Sequence, residues 1–136
     1  MDGDTIEVLH NKKPQRVRLY GIDCPETRQA FGTRAKQATS ALLFAKIVTV
    51  ESRGRDKYSR IIADVFLADG TNLNQRLVAE GWCWHYEKYA PDDLVLAVLE
   101  LAARGAMKGL WADPNPMPPW EWRKMRRGQL LNSYGR

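Results

Sequence analysis

The chain has 136 residues, 44% of them hydrophobic and 27% charged, enough to bury one core and too few for two. Its net charge of +5 favours anionic partners, and residues 120–136 hold most of that excess, with Arg123, Lys124, Arg126, Arg127 and Arg136 set against Glu121. No stretch approaches the roughly 20 apolar residues that cross a bilayer, and Met1 is followed at once by Asp2-Gly3-Asp4, so no signal peptide is expected in the chain as it stands.

Residues 5–9 and 16–22 read as two strands either side of Asn11-Lys12-Lys13-Pro14, the pattern of an antiparallel hairpin. In the second strand Val17 and Leu19 share one face, so Arg18 and Tyr20 project from the other. Phe31, Ala35, Ala38, Leu42 and Ala45 recur at helical spacing and predict a helix over residues 29–46. Two further strands are expected at 47–50 and 61–67, joined by the polar segment 51–59. Asn72 caps a short helix that runs through Glu80 and stops at Gly81, and residues 82–86 have the character of another short strand. Pro91-Asp92-Asp93 opens a third helix, with Leu94, Val98, Leu101 and Ala102 as its predicted buried stripe. The prolines of residues 113–120 exclude regular helix there, so a docked extended arm or a linker is expected, pinned by Trp120 and Trp122. Short strands interleaved with helices point to an α+β domain built on a small barrel.

Cys24, Cys83, His10 and His85 have no zinc-site spacing, so any metal should be held by oxygen. The two cysteines are expected as a reduced buried pair, with a disulfide as the alternative in an oxidising compartment. Asp2, Asp4, Asp23 and Glu26 gather at strand ends. Such carboxylates repel one another, and a hard divalent cation among them would relieve it; taken separately, each pair also reads as an acidic turn. Arg18 projects from a strand, and Arg60 ends a basic loop that contains Arg53, Arg55, Lys57 and Tyr58, with Glu51 and Asp56 as local ion-pair partners. Together a cation, two arginines and a free carboxylate are the parts needed to hydrolyse a phosphodiester. The guanidinium forks would grip developing charge, and Glu26 would take a proton from water. His85, set among Trp84, Tyr86 and Tyr89, is expected to be a packed or surface residue and not the general base.

Three motifs, Asp2-Gly3-Asp4-Thr5, Arg18-Leu19-Tyr20-Gly21-Ile22-Asp23-Cys24-Pro25-Glu26-Thr27 and Asp56-Lys57-Tyr58-Ser59-Arg60, resemble the staphylococcal nuclease (thermonuclease) family. The likeness continues through Ala68-Asp69-Gly70 and Gly109-Leu110-Trp111. It implies an OB-fold, a five-stranded β-barrel with three α-helices over residues 1–112, followed by a Pro/Trp-rich basic arm over 113–136. It also implies calcium-dependent hydrolysis of DNA and RNA with little sequence preference, releasing 3′-phosphorylated products. By motif position, Asp4 and Asp23 match calcium-binding carboxylates, and Cys24 matches a residue that lends its backbone carbonyl. Arg18 and Arg60 match the phosphate-clamping arginines and Glu26 the general base, while Lys57, Tyr58 and Tyr89 match nucleotide-contacting positions.

The sequence departs from the family pattern in two places. The family's long first strand is largely missing before the Asp-Gly-Asp motif, so an exposed barrel edge is expected, filled by exchange of a strand or of the arm within a homodimer. Around Tyr86 the aromatic spacing differs, with Glu87 where a tyrosine is expected, which weakens the case for base stacking on Tyr86. Two other readings fit the same residues: a non-catalytic nucleic-acid-binding OB-fold adaptor, and an inactive truncated nuclease. Family members are often secreted, and the sequence leaves the location of this chain open.

Overall fold

The computed structural model describes residues 1–134, with side chains through residue 129. In chain order its elements are β1 (Thr5–His10), β2 (Lys13–Leu19), β3 (Ile22–Asp23), α1 (Gly32–Leu43), β4 (Val48–Arg55), β5 (Ile61–Leu67), α2 (Leu73–Ala79), β6 (Trp84–His85), α3 (Leu94–Gly105), a 3-10 turn (Gly109–Ala112) and α4 (Pro119–Tyr134).

The first hairpin forms as the pattern of apolar residues predicts. β1 and β2 pair antiparallel from Thr5 opposite Arg18 to His10 opposite Lys13. Asn11 and Lys12 both take positive φ, 51° and 65°, which gives the two-residue turn whose twist matches that of its strands. Val17 and Leu19 are buried and Arg18 faces away from them, as alternation requires.

The second strand is as long as expected but starts three residues earlier, taking in Lys13 and Pro14 from the expected turn, and ends at Leu19 rather than Ile22. Gly21 takes φ +78°, a backbone conformation that favours glycine, and the chain turns at Tyr20-Gly21. β3 therefore leaves the main sheet and pairs antiparallel with β6, Ile22 opposite His85 and Asp23 opposite Trp84. One step further in that register places Cys24 opposite Cys83, and the two form a disulfide. This corrects the expectation of a reduced pair: the cysteines lie 59 positions apart, and only the β3–β6 pairing brings them together.

The main sheet has the order β1-β2-β5-β4, with β2 and β5 parallel and the other pairs antiparallel. β4 continues to Arg55, well into the segment expected as loop, by passing a bulge between Ser52 and Arg55 where Gly54 takes φ +114°. The expected closed five-stranded barrel is not seen among the described residues, which form this four-stranded sheet and the β3–β6 pair. The outer edges of β1 and β4 instead border a groove of about 780 Å³, lined by residues such as Val8, Leu9, Ile47 and Val50.

Val17, Leu19, Ala63 and Val65 from the sheet pack on Leu73, Leu77 and Val78 of α2 and on Leu96 of α3. α1 spans less than the expected 29–46, because Phe31 and Ala45, both at positive φ (66° and 58°), bracket it. The predicted stripe of α3 is corrected outright. Leu94, Val98 and Leu101 are 74%, 64% and 72% exposed, whereas Leu96 and Ala103 face the core. The helix has apolar residues on more than one face, so periodicity could not choose between them.

Four α-helices, not three, are found among the described residues. The arm is non-helical only through residue 118: Pro119 is the first residue of α4, a position where its missing N–H costs nothing. Gly135 and Arg136, the end of the expected arm, lie outside the described residues. No described helix is long and apolar enough to cross a membrane.

Candidate active site

Two acidic loops meet at one end of the sheet, each held by the other. The backbone N–H of Cys24 donates to Asp4 Oδ2 (2.8 Å), while the backbone N–H and hydroxyl of Thr27 donate to Asp2 Oδ1 (2.8 and 2.7 Å). Thr39 of α1 donates its hydroxyl to the Gly3 carbonyl (2.7 Å), which fixes the first loop from below. The turn carrying Glu26 is closed by Gln29, whose N–H donates to the Glu26 carbonyl (2.8 Å). A Cβ on Gly32 would lie 1.8 Å from that same carbonyl oxygen, so α1 can start against this turn only from a glycine.

Asp4 and Asp23 are both buried, and Arg18 Nη2 lies 3.6 Å from Asp4 and 3.7 Å from Asp23. The Arg18 Nη1 is held by the Leu19 and Ile22 carbonyls, each at 2.9 Å, so the guanidinium is fixed between strand and site. Arg60 reaches the same loop by another route. Asp56 accepts from its Nε (2.7 Å) and backbone N–H (3.0 Å), and its Nη1 donates to Thr5 Oγ1 (3.3 Å). Thr5 Oγ1 in turn donates to Asp4 Oδ1 (3.3 Å). Asp56, which the sequence offered only as a local ion-pair partner, is thus the residue that aims Arg60.

One residue at the centre was not foreseen. Arg123, from α4, donates to both oxygens of Asp23 (3.2 and 2.8 Å) and to Glu26 Oε1 (2.9 Å), with the Tyr86 hydroxyl 3.5 Å away. The sequence showed it only as one of several tail cations, and no spacing rule ties residue 123 to residue 23. α4 is also anchored by Gln29 Nε2, which donates to the Met117 carbonyl (2.7 Å). Trp120 lies flat on Tyr86, centroids 5.2 Å apart at 6°, and edge-on to Trp84.

Burial pushes the Asp23 carboxyl up to about 6, with the neighbouring Asp4 charge adding to the rise and Arg123 and Arg18 opposing it. Burial likewise raises Glu26 to about 7, helped by a proton shared with Asp2 and opposed by Arg123. Asp2 is the low partner of that pair: burial works against its charge, but Glu26 and Thr27 hydrogen-bond the ionised form and hold it below the usual range.

The donors at the Asp4–Asp23 end are all oxygen, and two buried carboxylates face a common point beside Arg18. That donor set suits a hard divalent cation. Among the described residues no group of three or more His, Cys, Asp and Glu side chains converges into a metal cluster. A cation here would therefore take two carboxylates and complete its shell with backbone, water or substrate oxygens. The Cys24 sulfur is taken up in the disulfide, so its backbone carbonyl is the donor atom it has for a hard cation.

The structure brings Arg18, Asp4, Asp23 and Glu26 together, and links Arg60 to them through Thr5. Lys57 and Tyr58 are exposed on the Arg60 loop, the ammonium 5.2 Å from the ring and Arg60 5.5 Å from it. Tyr89 is exposed on a different loop and touches the site's Tyr86 by an edge-on ring contact at 4.9 Å and by its backbone N–H, which donates to the Tyr86 carbonyl (3.1 Å). His85 is buried, with Nε2 2.7 Å from the Ala90 carbonyl, and so is a packing residue as expected.

Residues 16–113 match the family model described as staphylococcal nuclease homologue. The chain is 46% identical over 123 residues to an "uncharacterized endonuclease" of Escherichia coli, covering 90% of this chain and 80% of that protein. It is 41% identical over 133 residues to a "micrococcal nuclease" of Shigella flexneri, covering 91% and 76% respectively. A staphylococcal-like nuclease of Arabidopsis thaliana is 37% identical over 122 residues, 90% of this chain and 36% of that protein.

Proposed function

The chain belongs to the staphylococcal nuclease family, and from that premise we propose that it is a calcium-dependent phosphodiesterase cleaving DNA and RNA to 3′-phosphorylated products. The observation that carries this reading is that Asp4 and Asp23 share the fixed guanidinium of Arg18, that Arg123 ties Glu26 to Asp23, and that Arg60, aimed by Asp56, reaches Asp4 through Thr5.

In this reading Asp4, Asp23 and the Cys24 carbonyl hold calcium, which when bound neutralises a non-bridging phosphate oxygen. Arg18 and Arg60 donate paired hydrogen bonds to the other equatorial oxygens as their charge grows. Glu26 accepts a proton from water as that water attacks phosphorus. The P–O5′ bond breaks, the 5′ oxygen leaves as a hydroxyl after taking up a proton, and phosphate stays on the 3′ side. Lys57, Tyr58 and Tyr89 offer an ammonium and exposed rings to backbone and base. The disulfide fits an oxidising compartment.

The outer edges of β1 and β4, without a strand partner among the described residues, border one groove and support closure of the sheet into an OB barrel by a fifth strand, of which exchange with a second copy is one source. The adaptor reading is disfavoured by the site itself. A binder needs positive charge, but it has no use for two buried carboxylates beside fixed guanidinium groups.

The test is to incubate the purified protein with single-stranded DNA and RNA in calcium, and again with a chelator. Cleavage is expected in the first sample only, with 3′-phosphate ends. No cleavage by a demonstrably folded sample would transfer support to the adaptor.

A further inference from the structure

Arg123 occupies Asp23 in the way a bound cation would. Both Asp23 carboxylate oxygens accept from its two terminal nitrogens, and one of those nitrogens also holds Glu26. A divalent cation at Asp23 and the guanidinium would be two positive charges drawing on one carboxylate, so each weakens the other's hold. A metal-free site with Asp4, Asp23 and Glu26 close together needs a counter-charge, and α4 supplies it.

The arm holds this cation in place by contacts that do not involve the carboxylates. Gln29 grips the Met117 carbonyl, Pro119 is buried, and Trp120 stacks on Tyr86 while meeting the edge of Trp84. These anchors keep the guanidinium at high effective concentration over Asp23. The same stacking covers one face of Tyr86, whose hydroxyl lies 3.5 Å from Arg123.

We propose that Arg123 is an intramolecular competitor of the divalent cation, so that α4 straps the active site until a cation displaces its guanidinium from Asp23. This rests on the reading of Asp4 and Asp23 as the cation-holding carboxylates. Binding and strap release are then one equilibrium: the apparent affinity for calcium is the intrinsic affinity reduced by the fraction of molecules in which the strap is open.

Calorimetric titration of calcium chloride into the full chain tests this without any substrate. Arg123→Gln removes the competing charge and should bind calcium at least about tenfold more tightly than the unaltered protein. Trp120→Ala, which loosens the strap and leaves every charge at the carboxylates, should shift affinity in the same direction, and it remains informative if Arg123→Gln does not fold. In the unaltered protein calcium should also change tryptophan emission as Trp120 leaves Tyr86. Equal or weaker calcium binding by the folded variants overturns the strap and leaves the metal site standing. No calcium binding by any of the three proteins overturns the metal site itself, and the strap with it.

Discussion

Arg18 and Arg60 reach the same acidic loop with different freedom, and the difference bears on what each can do. Arg18 is held at one nitrogen by two backbone carbonyls, leaving the other beside Asp4 and Asp23. Arg60 is held at Nε by Asp56, leaving its fork to reach Thr5. Lysine offers one point charge in place of a planar fork with fixed direction. Arg18→Lys and Arg60→Lys are each expected to lower kcat by about 100-fold or more with little change in KM, because the hydrogen bonds they remove strengthen toward the transition state. Steady-state kinetics on a single-stranded substrate decides this, and a loss confined to KM would remove both from the chemical step. The raised carboxyls make a separate prediction about stability. Asp23 and Glu26 bind protons more tightly folded than unfolded, since their folded values near 6 and 7 lie above the ordinary 3.8 and 4.5. Their contribution is fully present below about 4 and is lost as pH rises through 6 to 7. In that window Asp2 and Asp56, whose values are lowered, are ionised in both states and cancel. The melting temperature of the chelator-treated protein should therefore drop between pH 5 and about 7.5. Asp23→Asn should flatten that drop, and a melting temperature rising across the window would contradict the assignment.

Elements that depend on neighbours in sequence were legible, and those that depend on distant partners were not. The first hairpin, β5, the Asn72 cap and the approximate place of α1 follow from period and turn chemistry alone; the Asn72 side chain does accept from Gln75 N–H at 3.0 Å. The end of β2 at Leu19 was missed because the apolar pattern runs on to Ile22 through Gly21, whose φ of +78° turns the chain out of the sheet. The disulfide was missed because it depends on the β3–β6 register, and the exposed stripe of α3 because several of its faces are apolar. In the site, the motif residues were readable because short loops carry them, while Arg123 was not, since it arrives on a separate helix after a proline-rich passage. The disulfide also makes the strongest prediction at this scale. It ties β3, which carries Asp23, to the segment leading into β6, and closes a loop of 59 positions. Reduction should cost about 2–5 kcal/mol in denaturant unfolding under otherwise equal conditions. An unfolding midpoint unchanged by reductant would show that packing alone holds the two strands.

Across the whole molecule, the site sits where the β1–β2 hairpin, the β3–β6 pair, α1 and α4 come together, so four separately folded pieces position one set of charges. Catalytic groups are usually best placed on elements locked by second contacts, and each of the acidic loops has such a lock: Thr39 on the Gly3 carbonyl, Gly32 against the Glu26 turn, Thr27 on Asp2. The open groove between β1 and β4 lies at the residues lining Leu9, Ile47 and Val50, none of which belongs to the site. The central claim is that the two buried aspartates, set against fixed guanidinium groups, hold a divalent cation on which phosphodiester cleavage depends. The most direct test is a calcium titration in which cleavage of single-stranded DNA and circular dichroism are read on the same sample, for the unaltered chain and for Asp23→Asn. We expect cleavage that rises and saturates with calcium in the unaltered chain, with no change in fold, and folded but inactive Asp23→Asn. Cleavage indifferent to calcium, or full activity in Asp23→Asn, would contradict the account.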